Sequence, residues 1–293
     1  MVQVSIIIPT YKDWHRLELC LKALADQSFS QNAFEIIVVN NYAHDTVPAG
    51  FFTPGNCTII TETNHGSYAA RNAALKIAKG DILGFTDSDC VPDKDWIKNA
   101  VAYFTTHADI TRIGGPLHIF FKGKGPTFTE LFDMKYAFPQ ESYAKSGFAV
   151  TGNLFVKRVV FNTIGPFDET VESGGDYLWG QKAEAAGLKI AYSADVAVNH
   201  PARDSIKELY KKEKRVGKGQ ASFLPYQPGP KLTTFLNYLR HFKPNWIYVN
   251  DIWHNTPGTT KVQRLWLIHL QHFLAMVRYH HRLKHQIKKS NKK

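Results

Sequence analysis

Residues Gly66–Trp96 read GSYAARNAALKIAKGDILGFTDSDCVPDKDW, and the fold turns on them. Gly66 opens a helix of small residues, Ser67–Ala78, which Gly80 stops. The largely apolar run Asp81–Thr86 predicts a buried strand. Asp87, Asp89, Asp93 and Asp95 follow, four carboxylates within nine residues. Charges of one sign this close repel unless a cation or water stands among them. In extended chain, side chains two apart share a face. Asp87 and Asp89 are therefore expected to aim at one point, with Ser88 turned away. Such a pair suits a hard divalent ion, Mg²⁺ or Mn²⁺. A solvated turn is the plainer alternative. Asp93 is read as the N-cap of a helix from Trp96, with Asp95 in its first turn.

Working outward, Val4–Ile8, Glu35–Val39 and Cys57–Thr61 read as strands, and Asp13–Ala25 as a helix spaced by Leu17, Leu21 and Leu24. Strands alternating with helices predict a parallel sheet with crossovers, and ligands then sit at the carboxyl ends of the strands. Asp87 and Asp89 fall at such an end. No G-x-G-x-x-G follows the first strand and no G-x-x-x-x-G-K-[ST] occurs, which excludes the dinucleotide and P-loop fingerprints. Residues 114–147, rich in Gly, Pro and aromatics, read as a segment inserted over the site. Beyond it, Phe148–Val156 predicts a strand, Phe161–Gly165 a helix end and Asp176–Ala186 a helix stopped by Gly187. Lys189–Tyr192 and Asp195–Val198 read as two short strands.

The length of 293 residues and hydrophobic share of 44% allow a large packed core. Three cysteines with no C-x-x-C suggest neither a disulfide framework nor a zinc knuckle. A reducing cytoplasm is the simpler setting. The chain starts MVQVSIIIPTY without a basic leader, so no secretory signal is expected. The net charge of +11 is concentrated after residue 206, which on charge alone fits nucleic acid or an anionic membrane surface.

Five segments, in order, carry a resemblance: VSIIIPTYKDWHRLELCLKAL, FEIIVVNNYAHD, NHGSYAARNAALKIAKGDILGFTDSD, TGNLFVKRVVFNTIGPFDE and GGDYLWGQKAEAAGLKIAYSADVAVNHP. Together they resemble the family 2 glycosyltransferases, from Val4 to about Arg203. The resemblance implies an α/β GT-A fold with a Rossmann-like, mostly parallel sheet. It also implies a nucleotide-sugar donor, a divalent metal and inversion at the anomeric carbon.

Residue by residue, the resemblance implies that Pro9, Thr10 and Tyr11 bind the base and ribose. Tyr11 could stack on a base or plug a strand end. Asn40 stands where the family has an aspartate that accepts from the base, which leaves the base identity open; Asp45 matches the later acid of that loop. Arg71 and Ser88 join Asp87 in binding the donor, though a salt bridge from Arg71 to Asp81 or another acid is the simpler role. Asp87, Asp89 and His200 would hold the metal. Asp176 aligns with the catalytic base, Gly175 replaces the glutamate before it, and a lone aspartate there is otherwise an N-cap. Thr151, Gly152 and Asn153 would help hold the acceptor.

These readings divide the chain into a GT-A catalytic domain, 1–203, and a basic helical extension, 204–293. The first comprises a nucleotide-sugar half, 1–112, and an acceptor half, 113–203. Leu265–Val277, LWLIHLQHFLAMV, has no formally charged residue. It is too short to span a bilayer. It either lies in a membrane interface, with Trp266 and Phe273 inserted, or packs on the catalytic domain. The expected partners are a nucleotide sugar, a glycan or lipid-linked acceptor of envelope polysaccharide synthesis, and the inner face of the plasma membrane, not nucleic acid. Two other functions remain open: a nucleotidyl or phosphosugar transferase, and a non-catalytic nucleic-acid- or glycan-binding protein.

Overall fold

Val4–Thr10 (β1) is buried at every position because it lies inside a seven-stranded sheet. The computed structural model describes residues 2–121, 123, 125–224, 243 and 245–290. It divides them into two compact units: Met1–Phe120 with Phe138–Pro201, and Phe121–Ala137 with Ala202–Lys293.

In the first unit the sheet order is β3-β2-β1-β4-β8-β6-β9. The strands are β2 (Phe34–Asn40), β3 (Cys57–Thr61), β4 (Ile82–Thr86), β6 (Ile110–Gly114), β8 (Asn153–Lys157) and β9 (Lys189–Tyr192). β1, β2, β3 and β4 pair in parallel, while β8 runs antiparallel to β4 and β6. Alternate side chains feed two cores. Ile6, Ile8, Ile36, Val38 and Phe155 meet α1 (Trp14–Ala25) and α3 (Trp96–Thr106) on one face. Ile7, Ile37, Leu83, Phe85 and Leu154 meet α2 (Ser67–Leu75), α6 (Arg158–Ile164) and α7 (Gly175–Ala185) on the other. Covering both faces is why these strands read as unbroken apolar runs. Pro9 is tolerated in β1 because the β4 register ends at Ile7–Phe85, before the missing N–H matters.

A second, three-stranded sheet orders β5 (Val91–Pro92), β10 (Val198–Pro201) and β7 (Leu117–Phe120) as β5-β10-β7. α5 (Gln140–Lys145) completes this unit. All three cysteines are free.

Several boundaries differ from expectation. The cap before Trp96 is Asp95, not Asp93. Asp93 instead accepts from Asn199 Nδ2 at 2.6 Å, across from β10. Residues 148–152 are not strand, because Gln140 Oε1 captures the Val150 N–H at 2.9 Å. The last strand starts at Val198 rather than Asp195, after a turn closed by Val196 N–H to Ser193 O.

The second unit comprises α4 (Phe128–Tyr136), α8 (Ile206–Phe223), α9 (Trp246–His254) and α10 (Lys261–Ser290). Leu131, Phe132, Leu209, Ile252, Leu267, Leu270 and Leu274 form its core. The expected interfacial segment therefore spends one face on this core. Trp266 is not available for insertion, because it stacks on Phe128 with centroids 5.0 Å apart. Asp133, fully buried, accepts from Arg203 at 3.0 Å and pairs with Lys212 at 3.4 Å. Burial opposes its charge, but Lys212 and Arg203 hold the carboxyl below the usual range.

Candidate functional site

The site lies in the first unit, where parallel β1, β2 and β4 end side by side. Gly66 starts α2 there with φ of 123°, a conformation that favours glycine. Its N–H donates to Asn41 Oδ1 at 2.8 Å.

The acid pair is answered by nearby basic groups. Asp87 Oδ1 accepts from Arg71 Nη2 at 2.5 Å, and Arg71 is only 3% exposed. Arg71 thus pairs with Asp87 rather than Asp81. Asp89 Oδ2 lies 3.4 Å from Arg16 Nη1 and 3.6 Å from His200 Nε2. Asp87 thus pairs with Arg71 of α2, while Asp89 lies beside Arg16 and His200. Ser88 is not simply turned away, since its hydroxyl donates to Asp13 Oδ2 at 3.4 Å.

His200 is set up as metal ligands usually are. Its Nδ1 lies 2.7 Å from the Pro201 carbonyl, which can only accept, so Nδ1 carries the hydrogen. Nε2 then faces Asp89, and that contact needs either a proton on Nε2 or a cation between them. Among the described residues no three His, Cys, Asp or Glu side chains form a ready-made cage. The donors present fit a hard divalent ion whose shell is completed by other oxygens. Two buried polar atoms nearby in sequence and fold, Thr10 Oγ1 and Arg71 Nε, have no hydrogen-bond partner. A ligand at the strand ends would satisfy them.

Asp176 is the second residue of α7, which begins at Gly175. Its Oδ1 accepts from Tyr68 OH at 3.2 Å and from the Tyr177 N–H at 2.9 Å. Burial pushes its carboxyl up, against the Tyr177 N–H, Arg71, Tyr68 and the Thr151 N–H, which favour the charged form. Arg71 therefore acts on Asp87 and Asp176 together. Gly175 is required by Tyr68: a Cβ there would lie 2.7 Å from the ring.

Thr151 and Gly152 line the interval between these acids. A Cβ on Gly152 would come within 3.3 Å of Asp87 Oδ2. Asn153 does not contact an acceptor, contrary to expectation. It is fully buried, with Nδ2 donating to Pro116 O (2.9 Å) and Val196 O (2.7 Å) and Oδ1 accepting from Trp96 Nε1 (2.9 Å).

At the end of β1, Pro9 and Thr10 are buried, while Tyr11 is 48% exposed and edge-on to Tyr42 and His65. Asn40 is occupied within its own loop. Its Nδ2 donates to Asp45 O at 2.7 Å and its Oδ1 accepts from the Tyr42 N–H at 3.1 Å. Asp45 accepts from Trp14 Nε1 at 2.8 Å. Sequence reasoning missed Tyr68 and Arg16. Tyr68 had a signal: it is the one large residue in the first turn of a helix built from small ones.

Residues 5–165 match the family model described as Glycosyl transferase family 2. The chain belongs to that family. As a family 2 glycosyltransferase it is an enzyme that takes sugar from a nucleotide-activated donor. It is 35% identical over 223 residues to Glycosyltransferase AglE of Haloferax volcanii, covering 74% of this chain and 72% of that one. It is 22% identical over 223 residues to a Methanococcus voltae dolichyl N-acetyl-alpha-D-glucosaminyl phosphate 3-beta-D-2,3-diacetamido-2,3-dideoxy-beta-D-glucuronosyltransferase, covering 71% and 70%. The fold matches the mannosyltransferase PcManGT of Pyrobaculum calidifontis in complex with GDP-Man and Mn2+. That match has a TM-score of 0.60 at 17% identity, over 94% of this chain and 86% of that one.

Proposed function

We propose that this glycosyltransferase moves a sugar from a nucleoside diphosphate donor to a hydroxyl of a glycan or lipid-linked acceptor, with inversion, using Asp176 as the general base. The observation that carries the reading is Arg71, buried and paired with Asp87 on one side while its charge reaches Asp176 on the other. Asp87 and Asp176 are thereby both tied to α2, the first through Arg71 and the second through Tyr68.

Asp87, Asp89 and His200 would hold Mn²⁺ or Mg²⁺, which when bound neutralises charge on the departing diphosphate. Thr10, Tyr11 and Arg71 bind the nucleotide and its phosphates, with Pro9 shaping the strand end. Ser88 acts through Asp13, and Asn40 through the shape of its loop. Thr151 and Gly152 wall the acceptor side. Asp176 accepts the acceptor's proton as the hydroxyl attacks. Its raised pKa makes it a stronger base than an ordinary carboxylate, and the Arg71 charge favours its ionised form.

Asp176→Asn tests this. Donor binding by calorimetry should persist, while transfer falls by roughly 10²–10⁴-fold. Near-normal turnover would remove Asp176 from the role.

The second unit supplies a peripheral contact with the cytoplasmic face of a membrane. By sequence it carries 22 Lys and Arg against 6 Asp and Glu, whereas the first unit carries 14 against 19. Trp246, Ile247, Val262 and Leu265 are 75%, 77%, 69% and 49% exposed in that basic setting. No helix among the described residues is long and apolar enough to cross a membrane. Exposed apolar side chains, one of them a tryptophan, among cations suit anionic headgroups.

A further inference from the structure

Tyr68 is 5% exposed, and its hydroxyl makes two bonds to one residue. It accepts from the Asp176 N–H at 3.2 Å and donates to Asp176 Oδ1 at 3.2 Å. Oδ1 also accepts from the Tyr177 N–H. A carboxylate oxygen has two lone pairs, so these two donors saturate Oδ1. The ring is wedged between Phe167, 5.7 Å away between centroids, and the bare Cα of Gly175. Any side chain at 175 would occupy the space the ring now fills. The other groups facing Asp176 are Arg71 from α2 and the Thr151 main chain.

We propose that Tyr68 is a positioning residue: it pins Oδ1 of Asp176, leaving Oδ2 to take the acceptor proton, and Gly175 exists to admit its ring. The inference rests on reading Asp176 as the base. In the reaction the acceptor O–H bond breaks, its proton goes to Oδ2, and its oxygen forms the new glycosidic bond as the nucleoside diphosphate leaves. Tyr68 keeps its own proton throughout, consistent with a phenol that burial holds well above its ordinary range.

Tyr68→Phe keeps the ring and removes only the hydroxyl. The full chain is assayed with Mn²⁺ and either UDP-GlcNAc or GDP-mannose, with donor hydrolysis as turnover, water standing in for the acceptor hydroxyl that gives its proton to Asp176. The expected kcat loss is about tenfold or more, with donor KM within about twofold, because misplacing a reacting group costs orientation rather than binding. The acid limb of the kcat profile should move to higher pH. A donor that favoured the carboxylate is gone, so the basic form appears later on titration.

Asp176→Asn is run beside it. If that variant turns over normally, the base reading fails. If it is inactive while Tyr68→Phe matches wild type in rate and acid limb, only the positioning role fails. A readout free of turnover is the ¹³C-carboxyl resonance of Asp176, identified by its loss in Asp176→Asn. Its titration midpoint should rise in Tyr68→Phe and in Gly175→Ala, where the new Cβ displaces the ring. An unmoved midpoint in either variant overturns the proposal. So does a rise in KM matching the fall in kcat with the acid limb in place, which marks general loosening.

Discussion

Changing Asn153 separates a wall-building role from an acceptor-contacting one. Its amide joins Trp96 Nε1, Pro116 O and Val196 O at 0% exposure. Asn153→Ala strands all three groups. Each buried orphan costs about 1–3 kcal/mol, so with partial relaxation the loss is about 3–5 kcal/mol. With a urea slope of about 2–3 kcal/mol per molar, the unfolding midpoint should fall by roughly 1–2 M at unchanged slope. Asn153→Asp is the sharper probe. Its carboxylate can still accept from Trp96, but the second oxygen meets two carbonyl oxygens where N–H groups had been. Burial and those carbonyls raise its pKa above the unfolded value of about 3.9. The folded state then prefers the protonated acid. Stability relative to wild type is therefore best near pH 4 and falls as pH rises through the folded-state pKa. The Ala deficit should instead stay flat. Both variants are compared with wild type at each pH from 4 to 8. An Asp variant as stable as wild type at pH 7.5 refutes the network. Lost transfer with a wild-type midpoint would return Asn153 to the acceptor.

The same reasoning gives Asp176→Asn a stability signature. A half-buried carboxyl with a raised pKa costs the folded state more as pH rises, so the Asn variant should melt higher than wild type at pH 7 and lose that advantage below about pH 4; equal melting at pH 7 speaks against the desolvation argument. Asp89→Ala should weaken Mn²⁺-dependent donor binding about tenfold or more in calorimetry and leave metal-free binding alone; identical isotherms with and without Mn²⁺ would count against a metal role. Gly152→Ala places a Cβ 3.0 Å from Leu117 Cδ2 and 3.3 Å from Asp87 Oδ2, so donor Kd should rise several-fold with a modest fall in unfolding midpoint. The full chain should co-sediment with anionic but not neutral liposomes, and a chain ending near residue 260 should bind less; equal binding to both vesicle types removes the charge argument.

What could be read from the sequence follows from range. β1, β2 and β4 are buried on both faces, so Ile6–Ile8, Ile36–Val39 and Ile82–Phe85 announce themselves as apolar runs. The paired acids were visible because Asp87 and Asp89 are two residues apart at a strand end. Arg71, 16 residues from Asp87, and His200, from another sheet, were named only through the family resemblance, and Arg16, 73 residues from Asp89, was not named at all. Phe148–Val150 misled because an apolar run looks the same in a strand and in a buried loop. What settles it is Gln140, whose side chain takes the Val150 N–H and gives its own to Asn153 O at 2.9 Å. The resemblance places Asn40 and Asn153 at substrates, and a lone asparagine in sequence carries no sign of the main-chain groups it serves instead. The charge-free stretch of α10 was legible as a segment needing cover, from a membrane interface or the catalytic domain, but not that Leu267, Leu270 and Leu274 would face helices of its own unit.

One short helix joins these parts. Along α2, Tyr68, Arg71 and Asn72 stand at i, i+3 and i+4, so they share a face. Tyr68 reaches Asp176 at the start of α7, and Arg71 reaches Asp87 at the end of β4. Asn72 brackets Phe167, donating to its carbonyl at 2.9 Å and accepting from its N–H at 3.1 Å. Ala69, Ala70 and Ala74, all buried, let the helix lie close against the sheet so that these side chains can reach. The chain between Asp87 and Asp176 is long, yet both acids are tied to side chains three residues apart on one nine-residue helix. Their separation is therefore set by α2 more than by the intervening chain. A change that tilts this helix should therefore move Asp87 and Asp176 together.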